Sequence, residues 1–339
     1  MKPISLLLFA FFLLTNCNST KEIQENNGKG SNSNPTLYAN TITLEELKEN
    51  LYTLASDEYE GRNTGEEGQK KAAEFLKKHY VLNGISSPIT TTNYFQVVPE
   101  SFLPSGVHTS ENVVAFIKGS EIPEEIIVVS AHYDHLGTNG NEIFNGADDD
   151  ASGTVAVLEI AEAFQLAANN GHGPRRSILF LNLTAEEKGL YGSKWYVENP
   201  LFPIQNHIAN LNIDMIGRVD EAHTNNPNFV YLIGSDKLST ELHNLSEEVN
   251  KKYVQLDLDY TYNDENDPNR FYYRSDHYNF AKNNIPIIFY FNGVHEDYHK
   301  ATDTAEKINY EILTKRTKLV FYTAWEIANR DHKIIVDKL

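Results

Sequence analysis

Apolar positions in this chain recur with two different periods, and their alternation predicts the architecture. Thr43, with Glu46 three residues later, has the form of a capping box. Leu44, Leu47, Leu51 and Leu54 then follow at helical spacing. A second helix is expected over 66–80, with Ala72, Ala73, Phe75 and Leu76 on its apolar face. Segments 95–98, 112–117 and 126–131 are patterned as strands, and the last is an unbroken apolar run typical of a strand buried on both faces. From there helices and strands take turns. A helix over 151–168 leads to a strand over 177–183, and a short helix near 191–198 to strands near 211–215 and 229–233. A helix over 238–253, a polar loop at 263–270, a helix near 276–283, a strand over 286–291 and a helix near 310–328 complete the chain. Strands separated by helices predict an α/β fold with a mostly parallel, mixed central sheet covered by helices on both faces. No break in composition divides 41–339, so one domain is expected there.

The first residues follow a different pattern. Lys2 precedes an apolar run over 6–14, which is shorter than a bilayer span and has the length of a signal-peptide apolar region. The run meets Thr15, Asn16 and Cys17, the one cysteine of the chain, and this stretch resembles a lipobox. Residues 1–17 are therefore expected to be a lipoprotein-type signal peptide, with the protein exported to the bacterial cell envelope and lipid-anchored at Cys17. An ordinary signal peptide with an incidental cysteine is the alternative. Residues 18–40 are polar and read as a flexible tether. A single acylated cysteine leaves no thiol for disulfides, so the exported protein has to be stable without them. Asp and Glu number 47 against 29 Lys and Arg, a formal charge of −18. Such an excess repels phosphate backbones, so no nucleic-acid partner is expected, and contact with a membrane is expected only through the anchor.

Candidate chemistry gathers where strands end, which is where ligands bind in open α/β sheets. His132-Tyr133-Asp134 directly follows the strand at 126–131. A lone His beside an Asp usually makes only a local hydrogen bond; at the mouth of a buried strand it gains interest. Asp134 would reach His132 only if the chain bends, and could then fix the imidazole tautomer. Asp148, Asp149 and Asp150 precede the small residues Ala151-Ser152-Gly153. They read either as a surface capping cluster or, if buried, as a cluster needing water or a cation. Glu186 and Glu187 follow the strand at 177–183, where one could bind metal and the other take a proton. Asp214 sits inside an apolar strand, and His299 follows the last strand. Two His and three carboxylates form a ligand set suited to two zinc ions that share one bridging carboxylate.

The set His132-x-Asp134, Gly146-Ala147-Asp148-Asp149-Asp150-Ala151-Ser152-Gly153, Ala185-Glu186-Glu187-x-Gly189-x-x-Gly192-Ser193, Asp214-Met215 and His299-x-x-x-Asp303 closely resembles the co-catalytic di-zinc aminopeptidases. That family also contains glutaminyl cyclases and the glutamate carboxypeptidase and transferrin-receptor ectodomains. The likeness runs from about Thr43 to the C-terminus and includes Glu60-Gly61-Arg62 and Arg274-Ser275-Asp276-His277. It implies a monomeric aminopeptidase acting on peptide substrates with two Zn²⁺. His132 and Asp214 would hold one ion, His299 and Glu187 the other, and Asp149 would bridge. It further implies that Glu186 is the general base, that Asp134 orients His132 and that Tyr298 hydrogen-bonds the oxyanion; a packing aromatic is the equal alternative for Tyr298. Asn283-Asn284 departs from the family where many members have Gly, and the space between Phe95 and Ile126 is too short for the protease-associated insert of larger members. Two other functions share the scaffold: a mono-zinc glutaminyl cyclase and a non-catalytic binding ectodomain.

Overall fold

The computed structural model describes residues 34–338. The expected signal peptide, Cys17 and residues 18–33 of the expected tether lie outside them. Residues 34–40, expected to be tether, are instead folded. Helix α1 (Pro35–Ala39) is one turn opened by the Asn34 side chain, which accepts from Thr36 N, with Pro35 at a position where a missing N–H costs nothing. Tyr38 and Ala39 are buried, and Tyr38 stacks on Trp325 with ring centroids 5.6 Å apart. Burying such a ring contributes on the order of 2 kcal/mol, enough to hold a single turn in place.

Helix α2 (Leu44–Leu54) opens on Thr43, whose hydroxyl accepts from Glu46 N at 3.2 Å and donates to Glu46 Oε2 at 2.8 Å. Its buried Leu47, Leu51 and Leu54 are the predicted stripe. Helix α3 (Glu67–Leu82) runs to Asn83-Gly84, where glycine takes the left-handed conformation that ends the helix. Strands β1 (Phe95–Val98), β2 (Ser110–Ile117) and β3 (Ile122–His132) follow. A small hairpin, β4 (Gly137–Asn139) with β5 (Glu142–Phe144), has no apolar alternation to announce it. An irregular turn over 147–152 then leads into α4 (Gly153–Asn169). The alternation continues through β6 (Arg176–Leu183), α5 (Tyr191–Glu198), β7 (His207–Ile213), β8 (Phe229–Ile233), α6 (Thr240–Val249) and β9 (Asp257–Asp259). It ends with α7 (His277–Ala281), β10 (Ile287–Phe291) and α8 (Tyr310–Asn329).

Eight strands make one sheet in the order β1-β2-β6-β3-β7-β10-β8-β9. The central four, β6, β3, β7 and β10, are mutually parallel. Antiparallel pairs lie outside them, β1–β2–β6 on one side and β10–β8 on the other. Val128 stands opposite Leu179 of β6 and Asn210 of β7, so β3 is buried between two parallel neighbours, as its apolar run predicted. Val128, Leu179 and Leu181 pack with Tyr196 of α5 and Phe280 of α7. The alternate residues of the same strands point the other way, toward α4 and α8, which meet through Phe164 and Phe321 at 4.9 Å. The expected α/β class and mixed sheet are present. One strand ends earlier than its pattern suggested: β7 stops at Ile213, because Met215 takes a left-handed φ of 62° and turns the chain away from the sheet.

Candidate metal centre

Because the four central strands run parallel, their carboxyl ends share one edge of the sheet, and the chain departs there on both sides of β3. His132 is the last residue of β3, Asp214 follows β7, Glu186 and Glu187 follow β6, and His299 lies in the loop after β10. Asp149 comes from the turn before α4. Ala185, Met215 and His299 have φ of 54°, 62° and 56°. A side chain in that left-handed region costs about 1 kcal/mol or more, and here it aims the flanking carboxylates and one imidazole toward a common point.

The ligand atoms converge in two groups. His132 Nε2 is 3.2 Å from Asp149 Oδ1 and 3.5 Å from Asp214 Oδ1. His299 Nε2 is 3.2 Å from Asp149 Oδ2 and 3.5 Å from Glu187 Oε2. Two donors bound about 2.1 Å from one tetrahedral zinc lie roughly 3.3 Å apart, so each imidazole stands from its two acids at about the spacing zinc requires. Asp149 turns one oxygen to each imidazole, the geometry of a bridge. His132 Nε2 is buried without a hydrogen-bond partner, which is how a ligand nitrogen looks without its ion. The predicted ligands His132, Asp149, Glu187, Asp214 and His299 are therefore brought together, and the donor set fits zinc.

Electrostatics point the same way. Burial, with Asp149 beside it, pushes the Glu187 carboxyl up to about 8. Burial also raises Glu186, and the nearby Asp214 and Glu187 add to it. Burial works to raise Asp149, yet the imidazoles of His135, His132 and His299 hold it well below the usual carboxylate range. So many buried carboxylates cannot all be ionised together without positive charge among them, supplied by protons or by metal.

The three adjacent aspartates divide their work. Asp148 accepts from Gly217 N at 2.6 Å and from His295 Nε2 at 3.1 Å. Asp150 accepts from Gly153 N, Met215 N and His132 N at 2.9, 3.0 and 3.2 Å. Backbone donors, joined at Asp148 by the His295 ring, thus satisfy the outer two, and Asp149 faces the cluster. Asp303 in turn accepts from Asp148 N at 3.0 Å and Asp149 N at 3.2 Å, tying the His299 loop to the aspartate turn.

Arg62 is fully buried and donates to the carbonyls of Leu54, Tyr133, Asn145 and Gly146 at 2.7–3.0 Å. It clamps the His132 segment to the turn that presents Asp149. Asp134 differs from expectation. Its backbone carbonyl, at 3.1 Å, meets His132 Nδ1, while its carboxylate lies 3.8 Å from that nitrogen. The carboxylate accepts instead from Thr64 Oγ1 at 2.6 Å and Glu186 N at 3.1 Å, so its side chain holds the glutamate turn. The carbonyl can still fix the imidazole tautomer. Tyr298 stacks on the His299 ring at 3.9 Å, and its hydroxyl accepts from Arg274 Nη2 at 3.5 Å. Burial, and then the surrounding carboxylates, raise that hydroxyl far above its ordinary value, so it stays protonated and able to donate.

Sequence reasoning passed over His135, a fully buried ring. Its Nδ1 lies 2.8 Å from Glu187 Oε1 and 3.8 Å from Asp149 Oδ2. The first distance is shorter than two ligands of one zinc would keep, and the second longer. Neither ring nitrogen has an aligned hydrogen-bond partner. Burial lowers this imidazole to about 4, against the pull of Asp149. It backs the oxygen of Glu187 that faces away from His299. A Cβ at Gly146 would come within 2.5 Å of the His135 ring, and φ there is +51°, so the glycine is needed. The available signal was the histidine three residues past His132.

Beside the ligands lies a pocket lined by Glu186, Asp214, Met215, Phe271, Arg274, Phe289, Phe291 and Tyr298, among others. A mixed α/β sheet whose parallel strand ends gather two histidines and three carboxylates beside a partly apolar pocket defines a class of α/β proteins with a candidate metal site at the sheet edge. Residues 112–324 match peptidase family M28, and the chain belongs to that family. Leupeptin-inactivating enzyme 1 of Streptomyces exfoliatus is 27% identical over 298 residues, 82% of this chain and 59% of that protein. The chain thus spans somewhat more than half the length of this relative. Among solved structures, the LapA aminopeptidase of Legionella pneumophila superposes with a TM-score of 0.69 at 22% identity, covering 91% of this chain and 78% of that one. A zinc-dependent exopeptidase from Parabacteroides distasonis gives 0.64 at 17% identity, covering 85% and 99%. These likenesses show the fold.

Proposed function

We propose that this protein is a zinc-dependent aminopeptidase that hydrolyses the N-terminal bond of peptides with two zinc ions per chain. The observation that carries the reading is the double set of near-zinc spacings around Asp149, 3.2 and 3.5 Å on each side. Family membership and the aminopeptidases among its structural neighbours support it. His132 and Asp214 would hold one ion, His299 and Glu187 the other, and Asp149 would serve both. When bound, the zinc ions supply Lewis-acid polarisation.

The chain's own residues account for the rest. Glu186 lines the pocket beside Asp149 and Asp214, and burial raises its affinity for a proton. It takes a proton from the attacking water and delivers it to the leaving amine. Asp134 holds the Glu186 backbone N–H and so sets where that carboxyl points. The Tyr298 hydroxyl donates to the oxygen on which negative charge develops. The substrate amine lies among Asp149, Asp214 and Glu186, and the first side chain enters between Met215, Phe271, Phe289 and Phe291, which favours an apolar residue. The signal-like run at 6–14 and the lipobox-like Cys17 support export and lipid anchoring of the protein.

A panel of aminoacyl p-nitroanilides, assayed with and without chelator and after zinc is restored, tests the reading. Leu and Phe derivatives are expected to turn over fastest, activity to vanish on chelation, and two zinc equivalents to restore it. Full activity in a preparation shown by elemental analysis to be metal-free would end the proposal. Cyclisation of N-terminal Gln at one zinc per chain would replace it with the cyclase reading.

A further inference from the structure

The metal pocket is walled by carboxylates, yet one guanidinium stands at it. Arg274 is exposed and lines the same pocket as Glu186, Asp149 and Asp214. Other arginines of the fold are committed: Arg218 pairs with Asp297 at 2.9 Å, Arg176 with Glu125 at 2.6 Å, and Arg62 and Arg316 serve backbone carbonyls. Among the described residues no carboxylate lies within 4.0 Å of Arg274. Its position is nevertheless set. The guanidinium lies 4.9 Å above the Phe271 ring and donates from Nη2 to the Tyr298 hydroxyl at 3.5 Å, and Tyr298 stacks on His299. One nitrogen is used, and the remaining donors of the fork are available to a ligand.

A peptide seated with its amine among the carboxylates and its first side chain against Phe271 and Phe289 must send its second residue out past this wall. Among the described residues that line the pocket, Arg274 is the one Arg or Lys able to meet a negative group there. Resting on the aminopeptidase reading above, we propose that Arg274 is a specificity-determining residue that binds a carboxylate on the residue released by cleavage. The favoured substrates are peptides carrying that charge next to the scissile bond. The carboxylate comes either from the C-terminus of a dipeptide or from an Asp or Glu side chain at the second position.

The full zinc-loaded chain and its R274Q and R274K variants would be compared on Leu-Ala against Leu-Ala-amide, and on Leu-Asp-amide against Leu-Asn-amide. The first pair reads the terminal carboxylate and the second the side chain. Wild type is expected to favour the acid by about tenfold or more in kcat/KM in at least one pair, as a charge-assisted fork allows. R274Q is expected to bring that ratio to about one through KM, and R274K to retain part of it. No preference in wild type for either acid, or an equal loss on acids and neutral amides in R274Q, would overturn the proposal; the second result would mean that Arg274 acts only through Tyr298. Calorimetry with a reduced-bond Leu-Ala analogue, as free acid and as amide, reads the same preference without turnover. Tenfold tighter binding of the acid, lost in R274Q, supports the inference even if no peptide is hydrolysed, in which case the aminopeptidase reading alone falls.

Discussion

The two imidazoles of the metal centre have similar spacings to their acids and opposite surroundings. His132 ends a central strand, 1% exposed, its carbonyl accepting from Thr154 Oγ1 at 2.6 Å and its N–H donating to Asp150. His299 stands on a loop in a left-handed conformation, its side chain 38% exposed, leaning on the rings of Tyr298 and His135. Asp149 serves both. One half of the site is thus built into the sheet and the other is brought to it by a loop tied down through Asp303. The difference teaches that ligand chemistry and rigidity are set separately: zinc spacing is met twice, with a framework that resists distortion on one side only. The buried half should bind its ion more tightly and exchange it more slowly.

Four measurements would break or sharpen that contrast. The largest effect concerns the residue that belongs to neither half. Glu186→Gln is expected to lower kcat by about a thousandfold while elemental analysis still finds the full zinc complement, since only the proton carrier is gone. Turnover within a few-fold of wild type would remove Glu186 from its role. Next come the imidazoles themselves. His132→Ala is expected to reduce occupancy in both halves, because Asp149 loses its buried partner, and to lower the thermal midpoint. His299→Ala should cost about one zinc equivalent and leave the midpoint near wild type. Equal behaviour of the two variants would refute the contrast between strand and loop.

A smaller effect is expected from His135→Asn, which withdraws the ring behind Glu187. Loss of such a supporting side chain typically weakens metal binding about tenfold or more. Competition with a chromogenic chelator should find this loss for the weaker ion only; a loss confined to the tighter ion would contradict the arrangement. The smallest effect lies in the frame that carries both halves. Burial lowers His79 and His207 to about 4 and His277 to about 3. These rings are neutral when folded and gain protons more readily when unfolded, so their contribution is complete above the unfolded value of about 6.5 and is lost as pH falls from there toward 4. At pH 5.5 the loss is on the order of 1 kcal/mol per ring. Buried carboxyls such as Glu187 act in the opposite direction over the same range, so the rings are read by comparison: the denaturation midpoint of His207→Gln is expected to shift upward relative to wild type's as pH falls from 7.5 to 5.5, and an unchanged difference between the two would reverse the assignment.

Much of the fold and most of the candidate ligands were readable from local pattern. Strand-length apolar runs and helical leucine spacing announce β3, β6 and α2, and acids or histidines placed just after or inside such runs point to His132, Glu187 and Asp214 as candidates. What escaped depends on contacts between distant segments. Nothing near Asp148 or Asp150 tells that Gly217 and Met215 will bring backbone N–H groups to them. The strand at 126–131 does not tell that the chain will bend so that the Asp134 carbonyl, and not its carboxylate, meets His132. Nothing beside His135 tells that Gly146, from the next turn, will leave room for its ring. Helix α1 was hidden because its value comes from Trp325, nearly three hundred residues away in the chain.

That first turn also fixes an orientation. Tyr38 bonds His172 at 2.6 Å, just past the end of α4, and α4 begins beside Asp149 and runs for 17 residues. At 1.5 Å per residue the helix carries the chain about 25 Å from Asp149 to the far rim of the sheet. The first described turn and the candidate ligands thus stand at opposite ends of one helix, so a change made at Tyr38 reaches Asp149 only through the whole length of α4.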